Sequence, residues 1–154
     1  MKNNLFIYLF IAGQAFGLSV DLRDAENVAS ELLNRRNIEN RETYNISGSS
    51  YREKNGEILF YVIHFAPQGF VIISGDDRSK PVLGYSFDNS YSDQNIPAHY
   101  DYWLGYYADQ IEYIIIENLE QTNDRREEWR SYLDPNPSQR EVRDVVVGPL
   151  LATS

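Results

Sequence analysis

Two histidines, His64 and His99, are the only imidazoles in this 154-residue sequence, and it has no cysteine. A Cys–His or Ser–His–Asp site needs a thiol or an activated hydroxyl held beside a base. The sequence supplies no thiol and no Gly-x-Ser-x-Gly turn of the hydrolase kind. His64 falls in an apolar run and His99 near a helix start, so neither belongs to a metal-like cluster. Asp88-Asn89-Ser90-Tyr91-Ser92-Asp93 looks superficially like a calcium loop. It lacks the glycine and the glutamate that such loops place at their sixth and twelfth positions, and it reads as a polar connection. Asp76-Asp77-Arg78 reads as turn chemistry rather than a metal site. Asn45-Ile46-Ser47 fits the glycosylation sequon, a pattern of low specificity. These residues imply no cofactor, no metal and no catalytic set, and the chain reads as a non-enzyme.

Periodicity gives the elements around these residues. Leu22, Ala25, Val28, Ala29, Leu32 and Leu33 recur at three- and four-residue steps, which predicts a helix over 21–36. Asp21 or Asp24 caps its start. Asn37 to Glu42 is a polar break. From residue 43, Tyr44, Ile46 and Tyr51 alternate with polar residues as in a half-buried strand. Lys54-Asn55-Gly56 is a hairpin turn, because Asn-Gly tolerates the positive φ that tight turns require. The second strand, Glu57 to Phe65, carries Ile58-Leu59-Phe60-Tyr61-Val62-Ile63, which implies cover on both faces. Ala66 to Gly69 turns into a third strand, Phe70 to Ser74. The polar turn Gly75 to Pro81 leads into a fourth, Val82 to Phe87. Short connections make this an antiparallel meander. After the loop Asp88 to Asn95, Pro97 opens a helix that runs to about Glu120. Its apolar face is Tyr100, Trp103, Leu104, Tyr107, Ile111, Ile114 and Ile115. The expected fold is α+β: an antiparallel sheet of about four strands, packed with an N-terminal helix and a long helix after the sheet.

Lys2, the apolar run Leu5 to Phe16 and the small-x-small site Ala15-Phe16-Gly17 have the form of an export leader over residues 1–17. Gly13, Gln14, Gly17 and Asp21 interrupt the run before the roughly 20 residues of a spanning helix. The expected location is secreted or periplasmic, with no membrane attachment after cleavage. A chain beginning near Leu18 is long enough for one domain with a core. The net charge of −9 becomes −10 when Lys2 leaves with the leader. That acidity excludes nucleic acid as a partner and disfavours anionic membrane surfaces. Asp124 to Arg130 fits one short helix, Pro135 and Pro137 stop it, and the whole of 122–147 reads as an exposed linker. Tyr102, Tyr106, Tyr107 and Tyr113 cannot share one helix face, so some of the 12 tyrosines are exposed or cover a partner.

One further pattern concerns residue identities. Gly69-Phe70-Val71-Ile72-Ile73-Ser74-Gly75-Asp76, then Arg78-Ser79, then Val82-Leu83-Gly84-Tyr85-Ser86 occur in that order, followed by Asn95-Ile96 and a helix carrying Gln110-Ile111. With these features, residues 57–121 resemble the central part of the prodomain of streptopain-type (C10 family) cysteine peptidases and the related Spi-type inhibitors. The resemblance implies an inhibitor or prodomain over 18–121 that packs on a papain-like catalytic domain and keeps it latent. It implies a blocking loop, Asp93-Gln94-Asn95-Ile96, in which Asn95 matches the asparagine that helps displace the catalytic histidine. A side-chain amide can both donate to and accept from an imidazole. Glu141-Val142-Arg143-Asp144 resembles the processing junction, with the cut after Arg143 and Val142 in an apolar-preferring subsite. Residues 148–154 resemble the start of the mature enzyme, whose catalytic domain would lie beyond this sequence.

Two arrangements fit this resemblance: the pro-region of a zymogen, or a free-standing inhibitor acting in trans. A different class also fits the composition: a secreted recognition or adhesion module whose exposed tyrosines bind glycans or a surface protein.

Overall fold

The computed structural model describes residues 19–36, 44–92, 94 and 97–134. Asp21 caps the first helix, α1 (Leu22–Arg35), by accepting the Asp24 amide at 2.8 Å. Ala25, Val28, Ala29, Leu32 and Leu33 are its buried face, as their spacing predicts. The carboxyl of Asp24 is raised above its ordinary pKa by partial burial and by neighbouring Asp21.

Four strands come next: β1 (Asn45–Lys54), β2 (Glu57–Ala66), β3 (Phe70–Ser74) and β4 (Val82–Ser86). They form one antiparallel sheet in the order β1-β2-β3-β4. At the first hairpin Lys54 pairs with Glu57, and Asn55 and Gly56 take φ of 55° and 84°. Positive φ at both central residues is the two-residue turn whose twist matches the strands.

The α+β expectation holds, with one helical layer on each sheet face. On one side α1 packs on Tyr61, Ile63, Phe65, Val71, Ile73, Val82 and Tyr85. On the other, α2 (Ala98–Ile116) sets Leu104, Ala108 and Ile111 on Phe60, Val62, Phe70, Ile72 and Leu83. Every residue of β3 and β4 is buried. The strands alternate between the two cores with single-residue slips. Leu59 is an extra residue against the Arg52/Glu53 step of β1, so Leu59 and Phe60 both enter the α2 core. Ser47 on β1 and Leu83 on β4 are the other extra residues.

Two boundaries differ from the sequence expectation. α2 ends at Ile116 rather than near Glu120, because Asn118 turns left-handed at φ 45° and closes the helix. The amides of Asn118 and Leu119 return to the carbonyls of Ile115 and Ile114, the pairing that satisfies a helix C-terminus. Within the predicted linker over 122–147 the short helix expected at Asp124 to Arg130 is present, but it is packed on the domain rather than exposed. Asn123–Leu133 is a third helix, α3, capped by Thr122, with Trp129 buried against the α1 side. Arg35 lies 4.1 Å from the Tyr132 ring centre and bonds the Ser131 hydroxyl and carbonyl, tying α1 to α3. Trp129 is the buried anchor, and Tyr132 and Leu133 pack partly beside it, so three apolar side chains dock a mostly charged helix. The rest of the predicted linker, the leader over 1–17 and residues 148–154 lie outside the described residues.

Gly75 sits where β3 leaves the sheet. A Cβ there would stand 2.0 Å from the Ile58 carbonyl oxygen, while its amide bonds the Leu59 carbonyl at 2.9 Å. The obstacle is backbone and cannot rotate away. Gly75→Ala is therefore expected to destabilise the fold by roughly 1–3 kcal/mol or more, as overpacking does. Gly48→Ala, where a Cβ meets nothing within 4 Å, serves as the control and should change stability by less than about 0.5 kcal/mol. Chemical denaturation of the two variants checks both.

Candidate functional site

The signature residues 69–86 are structural in their placement. Phe70 and Ile72 face the α2 core, and Val71 and Ile73 face the α1 core. Gly69 has φ of 114° and approaches Ser86 and Phe87 closely. Gly84 pairs with Ile72, and Leu83 and Tyr85 split between the two cores. Ser86 ends β4, and its hydroxyl accepts the amides of Asp88 and Asn89 at 3.3 and 3.2 Å, fixing the direction of the next loop.

The polar turn after β3 is built as a junction. Ser74 Oγ donates to the Asp76 carbonyl at 2.9 Å and accepts the Asp76 amide at 3.2 Å. The Asp76 carboxylate takes Arg78 Nε at 2.8 Å, Nη2 at 2.7 Å and the Arg78 amide at 3.0 Å. Both side chains of this pair are almost wholly buried, 4% exposed for Asp76 and 6% for Arg78. The hydrogen bonds to Asp76 raise the Arg78 pKa further above its ordinary value. The remaining Arg78 nitrogen, Nη1, donates to Asn118 Oδ1 at 3.1 Å and the Leu119 carbonyl at 3.2 Å, at the end of α2. Gln121 donates to the Asp77 carbonyl at 2.9 Å, and Trp129 Nε1 to the Ser79 carbonyl at 2.9 Å. On the other side Ser19 bridges to Asp76, and the Val20 amide bonds the Gly75 carbonyl at 2.9 Å. The buried Tyr61 hydroxyl donates to the Val20 carbonyl at 3.0 Å, and burial raises its pKa. The turn thus ties the N-terminal segment, the sheet, α2 and α3 together.

The loop from β4 to α2 has its first part anchored. The Tyr91 ring lies 5.4 Å from that of Phe70 and 6.1 Å from His64. His64 Nε2 also shares a hydrogen bond with Ser50 Oγ at 3.2 Å. His64 is thus a packed strand residue. Gln94 is exposed, with its amide and carbonyl closed on Ser92 Oγ at 3.2 and 3.1 Å. Asp93, Asn95 and Ile96 of the expected blocking loop, and Val142, Arg143 and Asp144 of the expected junction, lie outside the described residues. Among the described residues no three acids or histidines gather as a metal site, and no helix is long and apolar enough to cross a membrane.

Sequence reasoning missed the second half of the junction. Asn118, Gln121 and Trp129 look unremarkable in a polar segment, and only a lone tryptophan among charges marks it. Sequence reasoning placed Tyr107 on the apolar face of α2 but left Tyr102, Tyr106 and Tyr113 unsorted. Tyr107 turns inward with Trp103, and Lys80 lies 4.7 Å from its ring centre. Tyr102, Tyr106 and Tyr113 stay exposed, with Ile116.

The signature residues thus build a scaffold between two cores, and the tyrosines of the outer side of α2 are exposed upon it. The Spi protease inhibitor family matches residues 18–111, more than half of the sequence, and the chain belongs to that family. Comparison with curated proteins and with solved structures gives no match. The family match ends at Ile111, whereas the packed structure continues through α3.

Removing one partner of a buried, hydrogen-bonded ion pair leaves the other charge uncompensated. Asp76→Ala is expected to cost about 3–5 kcal/mol of stability on that ground. Thermal unfolding of the variant against the parent checks it.

Proposed function

We propose that this protein is a secreted inhibitor of a C10-type cysteine peptidase, acting as a pro-region in cis or a free inhibitor in trans. The observation that carries this is membership of the Spi protease inhibitor family over residues 18–111. The leader-like residues 1–17 and the net charge of −9 support export and a soluble protein partner. The proposed mechanism is occlusion. The two-sided scaffold holds the loop between β4 and α2, and Asp93-Gln94-Asn95-Ile96 enters the peptidase cleft, where the Asn95 amide engages the catalytic imidazole. Val142, Arg143 and Asp144 form the segment at which the peptidase cuts the domain away from the residues C-terminal to it.

The purified protein is expected to inhibit a matured C10 peptidase in a peptide-cleavage assay. Absence of inhibition at large molar excess of folded protein overturns this function and favours a recognition module. Asn95→Ala should weaken inhibition by about one to two decades, the value of a hydrogen bond of roughly 1–3 kcal/mol to a charged or buried group. An unchanged inhibition constant assigns the block to other loop residues. Limited digestion by the peptidase should leave a stable core ending at or within a few residues of Arg143. Val142→Asp should suppress that cut, because its carboxylate would be desolvated in an apolar subsite. Mass spectrometry of the digest reads both outcomes.

A further inference from the structure

α2 has two different long faces. Its inner face is the sheet core described above. Its outer face carries Tyr102, Tyr106, Tyr113 and Ile116, which are 80%, 57%, 59% and 67% exposed. At 3.6 residues per turn these positions and Asp109 fall within one narrow stripe, about 21 Å long from Tyr102 to Ile116. Scattered surface aromatics are ordinary, but four large apolar side chains in register along one helix are not scattered.

The charge around the stripe selects the partner. From Ala98 to Glu120 the chain has Asp101, Asp109, Glu112, Glu117 and Glu120, and no lysine or arginine. Two of these are engaged from the first hairpin. Lys54 Nζ bonds Glu112 at 2.6 Å, which raises the lysine pKa, and Arg52 lies 3.7 Å from Asp101. Asp109, within the stripe, and Glu117 and Glu120, at its C-terminal end, are exposed. A second copy meeting this face about a two-fold axis would set carboxylate against carboxylate. An anionic lipid surface would be repelled. A protein surface with apolar pockets flanked by arginine or lysine would be matched in both respects, since tyrosine rings fill apolar pockets and accept cations on their faces.

We propose that this outer face of α2 is a docking surface for a cationic, apolar-pocketed patch on the target peptidase, outside its cleft. This rests on the inhibitor function proposed above and extends it. The loop of residues 93–96 directly precedes Pro97, so a peptidase held by that loop lies beside the first turns of α2. The tyrosines supply affinity, and the carboxylates supply orientation and association rate.

The test measures binding to a C10 peptidase whose catalytic cysteine is replaced by serine, so that cleavage does not intervene. Tyr106→Ala and Tyr113→Ala should each raise Kd by about tenfold or more, with unfolding temperatures unchanged because both side chains are exposed. Asp109→Lys should slow association and flatten its salt dependence. Tyr51→Ala is the control, since Tyr51 is equally exposed but pairs with Tyr61 on the α1 side of the sheet; its Kd should stay within about twofold. If the parent binds and the α2 variants bind equally well, the docking surface is overturned and the inhibitor function stands. If the parent does not bind, both fall. A self-associated parent that Tyr106→Ala dissociates, or glycan binding lost in the same variants without effect on the peptidase, also overturns the proposal.

Discussion

The ion pair between Asp76 and Arg78 spans two residues of sequence and organises most of the molecule. Burying both charges costs several kcal/mol each, and that cost is offset only when every donor and acceptor is engaged. Here three bonds reach the carboxylate from Arg78 alone. The guanidinium still has a nitrogen left for Asn118 and Leu119. The turn therefore cannot be complete until the end of α2 has arrived. The left-handed Asn118 that stops α2 is also the residue whose side chain meets Arg78, so one position both ends a helix and anchors it.

That junction fixes which surfaces remain for a partner. With α1 and α3 on one sheet face and α2 on the other, the central strands offer nothing to the outside. The edge of β1 and the outer sides of the helices are left. An inhibitor benefits from this arrangement, because contact groups on a stiff frame lose little freedom on binding. The signature residues belong to the frame. Ser74, Asp76 and Ser86 among them are buried polar groups bonded within the domain.

Much of this was legible in residue order. α1 follows from its apolar spacing, the first hairpin from Asn55-Gly56, and β3 from a run of apolar residues bounded by glycines. The features that stayed hidden depend on distant partners. The extra residues Ser47, Leu59 and Leu83 shift register by one, and nothing local announces which residue is extra. α3 has a polar composition that hides its role, and Trp129 becomes decisive only once the Ser79 carbonyl is beside it. Spacing alone places Tyr102, Tyr106 and Tyr113 on one side of α2. Adding Tyr107 to the same group obscured that side, because Tyr107 belongs to the sheet-facing core.

The docking of α3 also sets when the protein can finish folding. The sheet assembles from neighbours, since each strand pairs with the next along the chain. The layer above it does not, because Arg35 finds Ser131 across 96 residues and Trp129 finds Ser79 across 50. Closing such long loops comes late, after local pairs have formed. During synthesis the hairpins can form on a growing chain and α1 can pack on them, but its ties to α3 wait until residue 131 has left the ribosome. The α1 side of the domain is thus completed only when α3 docks, after the sheet it covers has already formed.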